Sequence, residues 1–307
     1  MSTLAAIAHV VCALLLAPLL PGVINRVKAR FAGRQGQPLL QAYYDLAKLL
    51  QKGAVYSNTT TWLFVAGPMV GLACTLTALL LVPLGGVPAL FAFPGDFLLF
   101  VYVFGLMRFF TILAAMDTGS SFEGMGASRE AFYSALAEPA LLLGLAALIC
   151  QSHQWSLSGI YATLAWDVVT SFDGPALLLV ATALLIVFLT ENARIPVDDP
   201  TTHLELTMIH EVMVLDHGGP DFAMIQYGAM LKLWVLGSLL IGIVVPVRSG
   251  YWGVDLAVGV AGLLLLAVLV GVIESTIARL RLVRVPQFLV AASVLSILAL
   301  ALVMRTP

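Results

Sequence analysis

Apolar residues fall in long, nearly unbroken blocks separated by shorter polar stretches. The blocks run over Thr3–Ile24, Thr61–Leu84, Gly95–Met116, Ala131–Gln151, Gly174–Thr190, Gln226–Val247, Val254–Glu274 and Pro286–Val303. A helix needs about 20 such residues to cross the hydrocarbon core of a bilayer. The blocks are rich in Leu, Ala and Val and too long for buried strands. They lack the alternation in segments of about 10 residues that marks a membrane β-barrel. The pattern predicts an all-α, polytopic membrane protein with about eight transmembrane helices in a single transmembrane domain spanning 1–307. Nothing basic precedes the first block, Pro18 and Pro21 lie toward its end, and a basic stretch follows it. It reads as a retained span rather than a signal peptide. The absence of a visible internal repeat gives no support to an inverted-repeat transporter.

The polar stretches assign sidedness. Arg26, Lys28, Arg30, Arg34, Lys48 and Lys52 follow the first block, Arg129 the third, Arg194 the fifth, and Arg279, Arg281 and Arg284 the seventh. The alternate loops hold only Arg248, and Arg305 sits near the C-terminus. Basic loops stay on the cytoplasmic side. The cytoplasmic loops are thus expected at about 25–60, 117–130, 191–225 and 275–285, with both termini on the other side.

Two of these loops are long. In the first, Leu39, Leu40, Tyr43, Leu46, Leu49 and Leu50 make one apolar face of a helix over Leu39–Lys52, with Gln41, Asp45, Lys48 and Lys52 mostly opposite. Two readings fit: an interfacial anchor on lipid, or a docking surface for a soluble partner through Gln41, Asp45 and Lys48. The second holds Glu191, Arg194, Asp198, Asp199, His203, Glu205, His210, Glu211, Asp216, His217 and Asp221. Pro196 and Pro200 break it, Asp199 or Thr201 could cap a helix, and Thr202–Leu215 has a helical pattern. Its histidines lack metal-ligand spacing, so no metal site is expected. The chain also lacks a nucleotide-binding fingerprint or nucleophile elbow, and no catalytic residue is expected.

Composition sharpens this picture. Hydrophobic residues make up 61% and charged residues 10%, against about 45–50% and 25% in soluble proteins. An ordinary soluble enzyme, a disordered chain and, at net charge -2, a nucleic-acid binder are excluded. Cys12, Cys74 and Cys150 lie in apolar stretches and read as small core residues. With so few charges, those inside or at the edges of spans stand out: Arg108, Glu130, Glu138, Glu191, Lys232 and Glu274. Each costs a few kcal/mol in hydrocarbon (about 2.5–3.5 at the centre) and needs a partner or a water path. Buried ion pairs and snorkelling termini are one reading; a proton relay is the other. Arg108 and Glu138 sit at similar depth, so they could pair with each other.

The motifs resemble one family. ENARIPVDDPTTHLEL (Glu191–Leu206) resembles a cytoplasmic loop of the quinone-site membrane subunit of complex I (NADH-quinone oxidoreductase). Glu191, Arg194, Pro196, Asp198, Pro200, Glu205 and Leu206 fall on its pattern. GASREAFYSALAEP (Gly126–Pro139) and GRQGQPLLQAYYDLAKLL (Gly33–Leu50) resemble its other loop segments. DTGSSFEGMGASREAF (Asp117–Phe132), THLELTMIHEVMVLDHGG (Thr202–Gly219) and ESTIARLRL (Glu274–Leu282) are more similar to the family's hydrogenase branch, that of formate hydrogenlyase, hydrogenase 4 and the group 4 [NiFe] hydrogenases. Thr201 and His203 replace an acidic pair of the complex I pattern.

The resemblance implies a membrane anchor and energy-coupling subunit in the cell's inner membrane. It would dock a soluble redox arm and link it to proton or sodium translocation. Expected partners are hydrogenase-type large and small subunits, an Fe–S subunit and antiporter-like membrane subunits. The [NiFe] centre and Fe–S clusters would sit on those partners, with no cofactor bound by this chain. Glu130, Glu138, Glu191, Glu205, Glu211, Asp198, Arg108 and Lys232 would carry the coupling path, and Arg129 and Arg194 would join Gln41, Asp45 and Lys48 in docking. A quinone-site subunit of NADH-quinone oxidoreductase, with its site between the first-loop helix and the first and sixth spans, is the alternative. A stand-alone secondary transporter is a third reading.

Overall fold

Proline decides how the first apolar block folds. It forms two helices, α1 (Ser2–Leu16) and α2 (Leu19–Phe31), bent by 48°. Pro18 has no N–H to continue the ladder, so the expected single span over Thr3–Ile24 is broken at Ala17–Pro18. The computed structural model describes residues 2–164, 174–198 and 208–305. Its remaining helices are α3 (Gln41–Leu50), α4 (Trp62–Leu81), α5 (Asp96–Asp117), α6 (Ser121–Ser152), α7 (Leu157–Thr163), α8 (Gly174–Glu191), α9 (Gly219–Val244), α10 (Trp252–Thr276) and α11 (Val285–Val303). Short 3-10 turns cover Glu211–Val214 and Leu282–Arg284.

Seven of these helices are long and apolar enough to cross a membrane, and the bent α1–α2 pair makes an eighth. The chain is thus an all-helical membrane protein. Helix α5 lies between α4 and α6, α11 packs on α6 and α8, α9 on α4, α8 and α10, and α2 along α10. Helix α3 rests on α9 and α2 and contains no buried residue. Close approach uses small residues, as membrane helices do. A Cβ on Gly67 would meet Ala114 at 2.8 Å, and one on Gly237 would meet Leu263 at 2.8 Å.

Several boundaries differ from the sequence pattern. The expected loop 117–130 is mostly helix, because α6 begins at Ser121. At about 1.5 Å per residue, its 32 residues span about 48 Å, well beyond a hydrocarbon core of about 30 Å. The extra turns project out of the apolar layer, where Glu123 and Glu130 are buried against other parts of the chain. Helix α9 starts at Gly219, seven residues before the expected Gln226. Met208, Ile209 and His210 are not helical, and Glu211–Val214 is a 3-10 turn, so the helix expected over Thr202–Leu215 is not formed there. Asp198 accepts the Ile209 and His210 amides at 3.0 and 3.3 Å, which removes those amides from a helical ladder. The rest of that expected helix, with Asp199, Pro200, Thr201, His203 and Glu205, lies outside the described residues. Cys74 is buried, but Cys12 is half-buried and Cys150 exposed, so the latter is not a core residue.

Neighbouring ends are tied by capping. Thr61 caps α4 by accepting Leu63 N at 3.3 Å, while Asp117 at the end of α5 accepts Thr61 N at 2.6 Å and its hydroxyl at 2.9 Å. At the opposite end, Asp96 accepts Leu157 N at 2.7 Å and orders α7, an element the apolar pattern did not separate.

Candidate functional site

The intramembrane charges come together in pairs. Arg108 of α5 reaches Glu138 of α6 through Nη2 and donates from Nη1 to Glu191 Oε1 at 2.8 Å. Lys232 of α9 meets Glu191 Oε2 at 2.7 Å and stands 5.6 Å from the Phe104 ring centroid. Two cations and two carboxylates thus form a neutral cluster drawn from α5, α6, α8 and α9. Glu191 is the last residue of α8, yet it meets Arg108, nine positions before the end of α5. Helix α8 therefore stops about 14 Å deeper than α5, and the chain after it folds back toward the loop-rich end.

A second group lies on that return path. His210 Nε2 is 3.0 Å from Glu130 and its Nδ1 is 3.7 Å from Asp198, which also accepts Arg279 Nη2 at 2.8 Å. Burial opposes the charged imidazolium, but Glu130 and Asp198 outweigh it and raise His210 to about 10. Burial likewise opposes the Asp198 carboxylate, and His210, Arg279 and the Ile209 amide more than offset it, keeping the group below its ordinary range. A third group joins Glu274 of α10 to Lys28 of α2 at 2.8 Å and to Arg194 at 3.4 Å. Arg129 donates to the Met208 carbonyl at 2.8 Å, so it holds the return segment from α6.

Two cavities adjoin these charges. One of about 10 Å³, room for a single water, touches Glu130, Ser134, Thr190, Glu191 and His210 and lies between the first two groups. The other, of about 430 Å³, is within the range of small-molecule sites. Its walls come from α2, α3, α4, α5, α9 and the return segment, and they are mostly apolar, with Asn25, Gln41, Asp45, Glu191, His210 and Lys232 among the polar groups. His217 also faces it, stacked on Phe64 at 3.9 Å, and burial holds its imidazole below the ordinary 6.5.

Of the sequence-selected coupling candidates, Arg108, Glu130, Glu138, Glu191, Asp198 and Lys232 fall in the first two groups, and Glu211 lines the large cavity. Glu205 lies outside the described residues. Gln41, Asp45 and Arg194 also line the cavity, whereas Lys48 is exposed on α3. The Arg108–Glu138 pairing that the sequence allows is formed. Sequence reasoning missed Lys28 and Arg279 as ion-pair partners; both had counted only as basic loop charges. Glu123, which accepts Asp216 N at 3.2 Å, was also missed. It lies in the expected loop 117–130, where nothing in the apolar pattern marked it. Among the described residues, no three His, Cys, Asp or Glu side chains are gathered as a metal ion would require.

The His210 geometry predicts a pH dependence. A histidine whose folded value is raised contributes stability fully below its unfolded value of about 6.5 and loses it as pH rises through the folded value. Wild type should therefore be more heat-stable than His210→Asn at pH 7, with the gap closing as pH approaches 10.5. Thermal unfolding of the purified protein across that range is the measurement, and a gap independent of pH would refute the assignment.

The NADH dehydrogenase family profile matches residues 4–306. Formate hydrogenlyase subunit 4 of Escherichia coli (strain K12) is 33% identical over 288 residues, covering 88% of this chain and 89% of the relative. Hydrogenase-4 component C of the same organism is 31% identical over 285 residues, covering 89% and 87%. Among solved structures, a chain of the membrane-bound sulfane sulfur reductase, an archaeal respiratory membrane complex, superposes with a TM-score of 0.80 at 21% identity, covering 96% of this chain and 98% of that one, a likeness of fold. The chain belongs to the NADH dehydrogenase family of complex I-like and hydrogenase membrane subunits.

Proposed function

We propose that this chain is the membrane anchor and energy-coupling subunit of a complex I-like [NiFe] hydrogenase or formate hydrogenlyase. The observation that carries the proposal is the run of paired charges, buried or half-buried, from the return segment (Asp198, His210, Glu130) to mid-membrane (Glu191, Lys232, Arg108, Glu138). Ionisable groups inside a membrane are costly and mark ion or proton pathways. The loop-rich end faces the cytoplasm in this reading, by its excess of Lys and Arg, and both termini face the other side. The soluble arm, with its large, small and Fe–S subunits, sits on that end against α3, Arg129 and Arg194. The [NiFe] centre and clusters belong to those partners, and the membrane is the cell's inner membrane. The Glu138 side chain is 39% exposed in the single chain. A carboxylate open at mid-depth suits a neighbouring antiporter-like membrane subunit better than lipid tails.

The test is purification of the tagged chain from native membranes with metal analysis, together with ion movement in inverted vesicles during hydrogen turnover. Nickel and iron should co-purify, and vesicles should accumulate protons or sodium. A preparation with iron but no nickel, oxidising NADH, would replace this reading with the second: a quinone-site subunit. The large cavity favours that alternative, since it lies between α2, α3 and α9 and is lined mainly by apolar groups.

A further inference from the structure

The break in the first span leaves the Leu14 carbonyl without its helical donor, since Pro18 has no N–H, and the Leu20 amide, which would reach Leu16 O in a continuous helix, turns to Ala17 O at 3.2 Å. Side chains fill the gap: Tyr227 of α9 donates to Leu14 O at 2.8 Å, and Tyr43 of α3 donates to Leu15 O at 2.5 Å. The two bonds hold very different elements. Tyr227 belongs to a long spanning helix packed on three others. Tyr43 belongs to a helix of 10 residues with no buried residue.

Among the described residues, the Tyr43 bond is the only hydrogen bond α3 makes to another helix. Its polar cavity-side groups satisfy each other, with Gln41 donating to Asp45 at 2.8 Å. Its other face is open, with Tyr44 61% and Leu50 62% exposed. Yet Gln41, Ala42 and Asp45 form part of the cavity wall, so that wall is one lightly held helix thick. Glycines flank it. Gly33 and Gly36 have φ of +67° and +68°, and Gly53 follows its end; a Cβ on Gly33 or Gly53 would meet nothing within 4 Å, although the Gly53 carbonyl lies close to Gly219 and Gly36 close to Ala29. A few residues that tolerate large backbone changes are what a hinge requires.

We propose that α3 is a lid over the large cavity, latched by the Tyr43 hydroxyl on the Leu15 carbonyl of the broken span. Opening it exposes the cavity to molecules partitioned into the membrane interface. Burial raises the Tyr43 hydroxyl above its ordinary value, so the latch remains a donor at physiological pH. The inference rests on the cavity and the helix break, and it stands whether or not the chain couples ion movement.

The test uses the complex in native membranes. Gly71→Cys places a thiol on the cavity wall of α4, where a Cβ meets nothing closer than Met107 at 3.9 Å. Cys12→Ser and Cys150→Ser remove the accessible native thiols. The rate of labelling by N-ethylmaleimide reports opening. Tyr43→Phe should raise that rate roughly two- to tenfold, the weight of one net hydrogen bond, while Tyr227→Phe should leave it nearly unchanged. An unchanged rate in Tyr43→Phe, or an equal rise in Tyr227→Phe, overturns the lid. Hydrogen exchange on the unaltered protein gives a second measure: amides of residues 41–50 should exchange together and faster than those of α4. Equal protection of α3 and α4 would also overturn it.

Discussion

Glu191→Gln should lower the thermal stability of the purified protein sharply, and Glu191→Gln combined with Lys232→Met should recover much of the loss. Glu191 is shared by two buried cations, Arg108 at 2.8 Å and Lys232 at 2.7 Å. The amide keeps the shape but removes the charge. Arg108 retains Glu138, whereas Lys232 retains only the Phe104 ring at 5.6 Å and a longer-range attraction to Glu130. Removing one partner of a buried pair leaves an uncompensated charge and costs about 3–5 kcal/mol. That is a large share of the roughly 5–15 kcal/mol that typically holds a domain together. A cation–π contact contributes only about 0.5–2 kcal/mol, so it does not offset the loss. Taking away Lys232 as well returns the cluster to neutrality, since Arg108 and Glu138 remain paired. Contacting residues are expected to be non-additive in this way. Melting temperatures of wild type, both single variants and the double variant give the coupling. Simple addition of the two losses would show that the cluster is not energetically shared.

The parts of this arrangement readable from sequence are those set by one residue's own chemistry. Long apolar blocks must become helices in lipid, so seven of the eight expected blocks correspond to long, apolar helices. Arg108 and Glu138 could be matched because two opposite charges at similar depth have few alternatives to each other. The sequence displayed Pro18 inside the first block, which still read as one span; in the fold it lies at the break. The rest depends on tertiary placement. The first turns of α6 read as a loop because they carry Glu123, Arg129 and Glu130, yet Glu123 and Glu130 are buried by the return segment. The helical pattern after Thr202 yields, at Ile209 and His210, to the Asp198 carboxylate that takes their amides. Lys28 and Arg279 looked like topology signals and also close ion pairs. The large cavity has no local signature, since it lies between helices from both ends of the chain.

Under the proposed coupling role, Glu138→Gln should leave assembly and hydrogen turnover intact while ion movement falls. Two features, its partner and its exposure, separate this position from Glu191. Its ion-pair partner is Arg108, which keeps Glu191 when Glu138 becomes an amide. The glutamine oxygen still accepts from the guanidinium, so the local geometry is retained. Its side chain is 39% exposed, against 9% for Glu191, so it carries less of the burial that makes an unpaired charge costly. What the amide cannot do is take up and release a proton. Arg108 cannot replace it, because a guanidinium stays charged in proteins. If protons leave the buried row at this carboxylate, the variant should slow ion movement by roughly 10²-fold, the scale of a lost general acid–base group. The comparison is between inverted vesicles carrying wild-type and variant complex, with hydrogen evolution and ion accumulation measured together. Normal pumping would remove Glu138 from the path and shift the exit to Lys232 or Glu191. Loss of both activities, with an intact complex on native gels, would make Glu138 part of the docking of the redox arm instead.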